Sequence, residues 1–231
     1  MNKQEFREAT ARQLIQAADD IIYFASQLYT IDSHGKGDSK IAKLPLHKAY
    51  LVRLLRLAWK AKKLAVYKSR QLMVTWSMCI ILLWEVLFIP GSLIGIISKK
   101  EEDAGKVLGR VKILYDYMPL HWKHFLPEPI WYKAKKGIVV RMVINNPNGL
   151  PQSIIQAYPS GEDQVRMETF STIYWDEVGF APDHDARLTY GALKPTVDGG
   201  GRLLMSSTPP PNEEHFWHLL CSGQYLQGES Y

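Results

Sequence analysis

The chain has 231 residues, of which 46% are hydrophobic, and its formal net charge is +5. This length and composition suffice for one domain with a sizeable core, or for one domain preceded by a helical lead. The two cysteines, Cys79 and Cys221, show neither a metal-binding spacing nor a disulfide framework, which excludes a disulfide-stapled secreted domain and indicates a reducing cytoplasm.

The N-terminal part of the chain is predicted to be helical. Residues 4–28 have the periodicity of an amphipathic helix, residues 30–43 form a polar, glycine-bearing loop or linker, and residues 46–62 form a second helix. Ten Lys and Arg residues and no acid lie between positions 40 and 70. This run either faces a polyanion or forms a solvated helix face. Its charges fall on more than one side of the helix, so the pattern favours neither interpretation.

A short strand at residues 64–67 leads into a loop that has the position of a phosphate-binding loop but not its usual residues. In the usual pattern, G-x-x-x-x-G-K-S/T, glycines let backbone N–H groups wrap the phosphates, the lysine reaches the β and γ oxygens, and the hydroxyl holds magnesium. Here Thr75 fills the last position, but Met73 and Val74 stand where the second glycine and the lysine belong. Lys68 supplies a cation at the first position. The alternative is ordinary surface sequence at a strand end.

The following segment, residues 72–97, is nearly all apolar over a span that could cross a bilayer. Glu85 and a later Pro-Gly pair argue against a membrane span, since proline and glycine end a helix and let a strand begin. We therefore predict a buried helix at residues 75–88 and a buried parallel strand at residues 92–98, without a membrane span or a signal peptide.

The rest of the chain alternates between predicted helices and strands. Residues 101–117 are predicted to form a helix, and residues 137–144 and 152–158 are predicted to form a β-hairpin joined by Asn-Asn-Pro-Asn-Gly. Short core strands follow at residues 172–175 and 202–206. Together with the two earlier strands they predict an α/β core.

Two adjacent acids, Asp176 and Glu177, follow the strand at residues 172–175. In a nucleotide hydrolase, an acid at such a strand end serves the magnesium shell, and the next acid orients or deprotonates the attacking water. Taken alone, the pair also fits a strand that ends in a solvated turn.

Three hydroxyl groups end the last predicted strand, those of Ser206, Ser207 and Thr208, and a proline follows them. Hydroxyls at a strand end either sense the γ-phosphate of a nucleotide or cap the following turn. The sequence alone leaves both interpretations open.

The order of these three motifs resembles the ATPase domain of large terminase subunits, the DNA-packaging motors of tailed phages. Members of that family carry a loop like S-R-Q-L-G-K-T, and this chain reads S-R-Q-L-M-V-T at residues 69–75. Lambdoid-type terminases are similar in placing the phosphate lysine at the start of the loop, where Lys68 stands. The resemblance covers roughly residues 40–225, and includes residues 96–100, Ala104, residues 207–209 and the pair Phe216-Trp217.

This resemblance implies an α/β fold of the RecA-like P-loop ATPase type, in the additional-strand, catalytic-glutamate class. A mainly parallel central sheet, a helical N-terminal lead and an inserted β-hairpin are expected. Residues 1–43 would form the lead and linker, and residues 44–231 the ATPase domain. The RNase-H-like nuclease that follows the ATPase in the family is not expected within this chain, which shows no later cluster of acids for two metals.

The resemblance also assigns roles to single residues, with ATP as substrate together with Mg²⁺. Lys68 would contact the β/γ-phosphates, Thr75 and Asp176 would hold magnesium, and Glu177 would activate water. Nucleotide binding would involve the whole loop, that is Lys68, Ser69, Arg70, Gln71, Leu72, Met73, Val74 and Thr75. Coupling of the phosphate state to movement would fall to Ser206, Ser207 and Thr208.

Two arginines are candidates for transition-state support. Arg70 maps onto the loop arginine of the family, and Arg166 matches the place of an arginine that neighbouring subunits can use on the nucleotide. An arginine offsets charge that spreads over the γ-phosphoryl oxygens. A salt bridge within its own loop, to Glu162 or Glu168, is the alternative for Arg166. His47 would be a further nucleotide-binding residue, since it stands where family members read adenine through a glutamine.

The implied function is ATP hydrolysis that powers translocation of double-stranded viral DNA into a procapsid in the host cytoplasm. The implied partners are duplex DNA, the portal and procapsid, the small terminase subunit and further copies of the chain in a ring. One alternative is a nucleotide-binding or assembly module with little turnover, suggested by Met73, Val74 and His47. A helicase-type translocase core is the other, although it would need a second RecA-like domain.

Overall fold

A computed structural model of the chain describes residues 2–31, 40–160, 169–210 and 214–222. Its helices are α1 Lys3–Asp19, α2 Ile21–Gln27, α3 Ala49–Lys60, α4 Val74–Phe88, α5 Glu101–Asp116, α6 Leu120–Lys123, α7 Asp183–Asp198 and α8 Phe216–Ser222. Its strands are β1 Tyr29–Ile31, β2 Ile41–Lys43, β3 Lys63–Tyr67, β4 Leu93–Ser98, β5 Pro129–Lys133, β6 Val139–Ile144, β7 Ser153–Pro159, β8 Thr172–Asp176 and β9 Arg202–Ser207.

The prediction of a single helix at residues 4–28 is wrong, because the chain forms two helices, α1 and α2, which Asp20 separates. The backbone of Asp20 is extended (φ −133°, ψ 106°), and its carboxylate accepts hydrogen bonds from the N–H groups of Ile22 and Tyr23. Aspartate is a strong N-cap, so Asp20 starts α2 at a point where the spacing of hydrophobic residues alone predicts that α1 continues. At the other end of α1, Asn2 and Glu5 form a capping box.

The predicted loop at residues 30–43 holds part of a small antiparallel sheet. In it β1 pairs with β2, with Thr30 opposite Ala42, and the Thr30 hydroxyl donates a hydrogen bond to the Ala42 carbonyl at 3.0 Å. The prediction of an irregular linker is therefore wrong at both of its described ends.

The central sheet has seven strands in the order β3-β9-β8-β4-β7-β6-β5. The first five are parallel to one another, and the last three are joined by antiparallel pairing. The predicted β-hairpin of β6 and β7 is confirmed, with Arg141 opposite Gln156. Both of its strands belong to the central sheet, and the unpredicted strand β5 forms the edge beyond them.

Helices cover both faces of this sheet, as a parallel sheet with apolar strands requires. In the larger core cluster, the helices α1, α2, α3, α4 and α5 pack against one face of the sheet. In the smaller cluster, α7 and α8 pack against the other face. The helix α4 is buried along most of its length, which explains its continuous apolar sequence. Within the described residues, no helix is long and apolar enough to cross a membrane.

A buried ion pair ties the amino ends of β8 and β9 to the helices. Glu85 of α4 is 2% exposed and accepts hydrogen bonds from the Thr172 hydroxyl at 2.7 and 2.8 Å and from Arg202 at 3.1 Å. Arg202 also donates to the carbonyl groups of Ala58 and Ala61 at the end of α3. Burial lowers the pKa of the Arg202 guanidinium, and Glu85 opposes that shift. Buried charges are tolerated only when they are paired in this way.

Candidate functional site

The site lies where the carboxyl ends of β3, β9 and β8 meet. These strands are neighbours and parallel, so the loops that follow them converge at one edge of the sheet. The backbone N–H of Lys68 donates to the Ser207 carbonyl at 3.0 Å and extends the pairing of β3 with β9 by one step. Such an edge is the usual ligand site of a parallel α/β sheet.

The loop between β3 and α4 takes a left-handed backbone at two non-glycine residues. The φ angles are 65° at Gln71 and 57° at Met73. Met73 is the N-cap of α4, and its carbonyl accepts hydrogen bonds from the Ser77 N–H at 2.9 Å and the Ser77 hydroxyl at 3.0 Å. A left-handed conformation costs a residue with a side chain about 1–2 kcal/mol. The loop thus has a glycine-type conformation at Met73, the position where the usual pattern has its second glycine.

Lys68 points at the acid pair that follows β8. Its Nζ lies 2.7 Å from Oε1 of Glu177 and 3.8 Å from Oδ1 of Asp176, and its side chain is 9% exposed. Glu177 itself has a left-handed backbone, with φ 55° and ψ 46°. The cation expected to bind phosphate is therefore paired with the carboxylate expected to act on water.

Glu177 also reaches the end of β9. Its Oε2 accepts hydrogen bonds from the backbone N–H of Thr208 at 3.3 Å and from the Thr208 hydroxyl at 3.4 Å. The hydroxyl of Ser207 lies 3.4 Å from the same oxygen and accepts a hydrogen bond from the Gly179 N–H at 2.9 Å. A Cβ on Gly179 would lie 3.0 Å from Ser207 Oγ and from the Thr208 carbonyl oxygen, so a larger residue would press on the end of β9. One carboxylate thus joins the loop after β3 to the end of β9.

Asp176 is held by two buried hydroxyl groups. Its Oδ1 accepts hydrogen bonds from the Tyr174 hydroxyl at 2.8 Å and from the Ser206 hydroxyl at 2.9 Å, and these hydroxyls lie 2.8 Å apart. Burial, reinforced by the charge of Asp176, raises the pKa of Tyr174 well above its ordinary value. Tyr174 therefore remains a neutral donor. Within the described part of the chain, Oδ2 of Asp176 has no hydrogen-bond partner and can accept a ligand.

The sequence interpretation missed Tyr174, although a signal was present. Side chains two residues apart in a strand point to the same side, so Tyr174 and Asp176 share a face of β8. A tyrosine two residues before a functional acid is thus placed to orient it.

Other predicted site residues that the structure describes make no side-chain hydrogen bond or ion pair with this cluster. Ser69, Arg70, Gln71 and Leu72 are exposed in the loop, and Thr75 is half-buried in the first turn of α4. Among the residues that the structure describes, neither Arg70 nor Thr75 makes a side-chain hydrogen bond or ion pair. Arg166 lies outside the described residues, as do its alternative partners Glu162 and Glu168.

His47 lies beside a groove on the outer side of α3. The groove has a volume of about 810 Å³ and is lined by Leu46, His47, Ala49, Val52, Arg53, Arg56, Leu57, Lys60 and Ala61. Its three strong cations, Arg53, Arg56 and Lys60, recur at helical spacing and are all exposed.

The five parallel strands and the strand-to-helix loop after β3 place the chain in the RecA-like P-loop fold. Among solved structures, the fold is that of the ATPase domain of phage large terminases. No protein-family model matches the chain.

Three solved structures show this likeness. A mutant of the Thermus phage P74-26 large terminase ATPase domain is 20% identical with a TM-score of 0.52, over 68% of this chain and 63% of that one. The HK97 bacteriophage large terminase is 14% identical with a TM-score of 0.60, over 92% of this chain and 42% of that one. The large terminase of a thermophilic bacteriophage, in complex with ADP, is 14% identical with a TM-score of 0.51, over 78% of this chain and 42% of that one. The matches thus span 42–63% of the solved chains, and they confirm the predicted fold class and the resemblance to large terminases.

Proposed function

We propose that this chain is the ATPase motor domain of a phage large terminase, and that it hydrolyses ATP to drive double-stranded DNA into a procapsid. The observation that carries the proposal is the meeting of Lys68 with Asp176 and Glu177 where three parallel strands end. The cation and the two acids come from loops that are far apart in sequence, and they converge at the edge where a parallel α/β sheet usually binds its ligand. The ADP complex of the thermophilic bacteriophage terminase, which has this fold, supports a nucleotide as the ligand.

In this proposal Lys68 and the loop bind the phosphates. The ammonium group is nearly buried, so a phosphate oxygen that replaces the Glu177 carboxylate meets a cation with few competing water molecules. The backbone N–H groups at the start of α4 add the positive end of the helix dipole. Arg70, exposed in the same loop, is free to turn toward the γ-phosphate. Arg70 or Arg166 would offset the charge of the transition state.

Thr75 and Asp176 fit magnesium that arrives with the nucleotide. A hydroxyl and a carboxylate are oxygen donors of the kind that Mg²⁺ prefers, and Mg²⁺ usually takes only one or two protein ligands beside substrate phosphates and water. Bound there, the ion would neutralise charge on the β and γ oxygens. Tyr174 and Ser206 fix Oδ1 of Asp176 and leave Oδ2 for this role.

Glu177 would orient or deprotonate the attacking water after it separates from Lys68. When Lys68 turns to the phosphates, the carboxylate loses its strongest partner and keeps the weaker hydrogen bonds from Thr208. Loss of the γ-phosphate would let the ion pair form again. Since Glu177 bridges to Thr208 and Ser207, the end of β9 would respond to the phosphate state, which is the coupling role proposed for Ser206, Ser207 and Thr208.

The wider setting follows from the same proposal. Duplex DNA, the portal and procapsid, a small terminase subunit and a ring of identical subunits would be the partners, in the host cytoplasm. Residues 1–43 would form a helical lead and residues 44–231 the ATPase domain. The lead is in contact with the core, because the Trp84 indole N–H of α4 donates to the Ala17 carbonyl of α1 at 3.0 Å.

Steady-state ATP hydrolysis tests the proposal directly. The 231-residue chain should release phosphate from ATP in the presence of Mg²⁺ and not in the presence of EDTA. The Asp176→Asn variant should lose both turnover and magnesium-dependent nucleotide binding. Nucleotide binding without turnover, even with DNA present, would refute the motor and favour the nucleotide-binding or assembly module.

A further inference from the structure

The turn between β5 and β6 lies at the same edge of the sheet as the nucleotide site. β5 is antiparallel to β6, and β6 is antiparallel to β7, so two reversals bring β5 into the direction of the parallel strands. The carboxyl end of β5 therefore lies at the edge that carries the ends of β3, β8 and β9. With neighbouring strands about 4.8 Å apart, five steps separate β9 from β5, or roughly 24 Å.

Three lysines form the end of this hairpin. We call them the basic tip, and they are Lys133, Lys135 and Lys136. All three are exposed, and none of their side chains has an ion pair or a hydrogen bond within the described residues. The surrounding segment, residues 129–160, contains four Lys or Arg and no Asp or Glu. Among the residues that the structure describes, the basic tip is therefore a cluster of uncompensated charge.

The basic tip is held on a well-defined turn. The Ala134 N–H donates to the Ile138 carbonyl at 2.8 Å, and the Gly137 N–H donates to the Ala134 carbonyl at 3.2 Å. Helix α5 packs directly on its base, since a Cβ on Gly105 would lie 2.5 Å from Cγ2 of Ile138. The lysines are thus presented by a backbone that is fixed to the core.

The end of β4, which lies at the same edge three strands from β5, is different. Lys99 and Lys100 follow β4 and are exposed, but Glu101 and Glu102 come directly after them at the start of α5. Two lysines and two glutamates leave that strand end near neutrality. Of these two described strand ends, only the basic tip carries a net positive charge.

We propose that the basic tip binds the phosphate backbone of duplex DNA. Lysine is a point charge without the planar fork that reads base edges, so three lysines suit phosphates in any sequence. Duplex DNA offers such charges densely, with one per about 1.7 Å of its axis. This inference rests on the proposed function and adds to it a place on the nucleotide edge where DNA would be held.

Fluorescence anisotropy of a labelled 40-bp duplex with the 231-residue chain, without nucleotide, tests the proposal. The variant carries the substitutions Lys133→Glu, Lys135→Glu and Lys136→Glu. Each phosphate that a lysine neutralises contributes about 0.9 to the slope of log Kd against log salt concentration. If each of the three lysines neutralises one phosphate, this slope should be smaller in the variant by about 2.7. Between 50 and 200 mM salt the wild type should therefore lose about 40-fold more affinity than the variant.

A matched variant carries the same charge change on α3, with Arg53→Glu, Arg56→Glu and Lys60→Glu. It should retain most of the affinity and the steep salt dependence. The proposal is overturned if the basic-tip variant keeps the wild-type slope, or if the α3 variant alone loses it. Tighter binding of a 40-nucleotide single strand, or of phosphatidylserine vesicles, would also overturn the assignment to duplex DNA.

Two measurements keep these outcomes interpretable. Thermal unfolding followed by circular dichroism checks that each variant is folded, and a milder variant, Lys135→Ala with Lys136→Ala, should reduce the salt slope by about 1.8. ATP hydrolysis by the wild-type chain is assayed separately. Absence of hydrolysis would refute the proposed function, whereas an unchanged salt slope would refute only the DNA contact of the basic tip.

Discussion

The pairing of Lys68 with Glu177 predicts that Glu177→Gln tightens nucleotide binding while it abolishes turnover. If Lys68 binds the phosphates as proposed, they must compete with Glu177 for it, because Nζ of Lys68 lies 2.7 Å from Oε1 of Glu177. A hydrogen bond to a charged group contributes about 1.5–3 kcal/mol and a neutral one about 0.5–1.5 kcal/mol. Glutamine keeps the shape and loses the charge, so the competing bond weakens by about 1–1.5 kcal/mol. Nucleotide affinity should then rise roughly 5- to 12-fold.

Isothermal titration calorimetry with a non-hydrolysable ATP analogue and Mg²⁺ measures this difference, and phosphate release from ATP measures turnover. Glu128→Gln is the matched control, since Glu128 is exposed just before β5, at the opposite edge of the sheet. Affinity that is unchanged or weaker in Glu177→Gln would show that Lys68 is not the cation for which the phosphates compete.

Three further predictions concern single residues. Lys68→Ala should weaken nucleotide binding by about 1.5–3 kcal/mol and nearly abolish hydrolysis, whereas Lys62→Ala, an exposed lysine before β3, should leave both unchanged in the same titration. Tyr174→Phe removes one donor to Asp176, so a magnesium titration of nucleotide binding should require more Mg²⁺ for half-saturation; an unchanged midpoint would exclude an orienting role. Glu85→Gln leaves the buried Arg202 without its counter-charge and should lower the free energy of unfolding in urea by about 3 kcal/mol, while the nucleotide affinity of the folded protein is retained.

The arrangement of the core could be predicted in part because three of its strands are short apolar runs, each followed by a motif of charged or hydroxyl residues. The ends of β3, β8 and β9 were recognised from Lys68, from Asp176 and Glu177, and from the hydroxyls that begin with Ser206. Parallel strands then bring these ends to one edge of the sheet. The contact between Lys68 and Glu177 spans 109 positions, so only the order of the strands in the sheet places it.

Other features could not be predicted from local patterns. The break between α1 and α2 depends on the cap at Asp20, which competes with an uninterrupted hydrophobic period. Strands of three residues, such as β1 and β2, owe their structure to their partners rather than to intrinsic propensity. The helix α7 begins directly after Pro182, and proline suits the start of a helix.

The backbone at Met73 has a consequence for how candidate phosphate loops are found. Glycine is expected at such a position because it adopts a left-handed conformation freely, yet Met73 adopts it with φ 57°. The conformation is therefore imposed by the strand before the loop and the helix after it, and the residue itself only has to tolerate it. A search for glycines in the sequence would overlook a loop of this kind, whereas a search for two left-handed residues between a strand and a helix would find it.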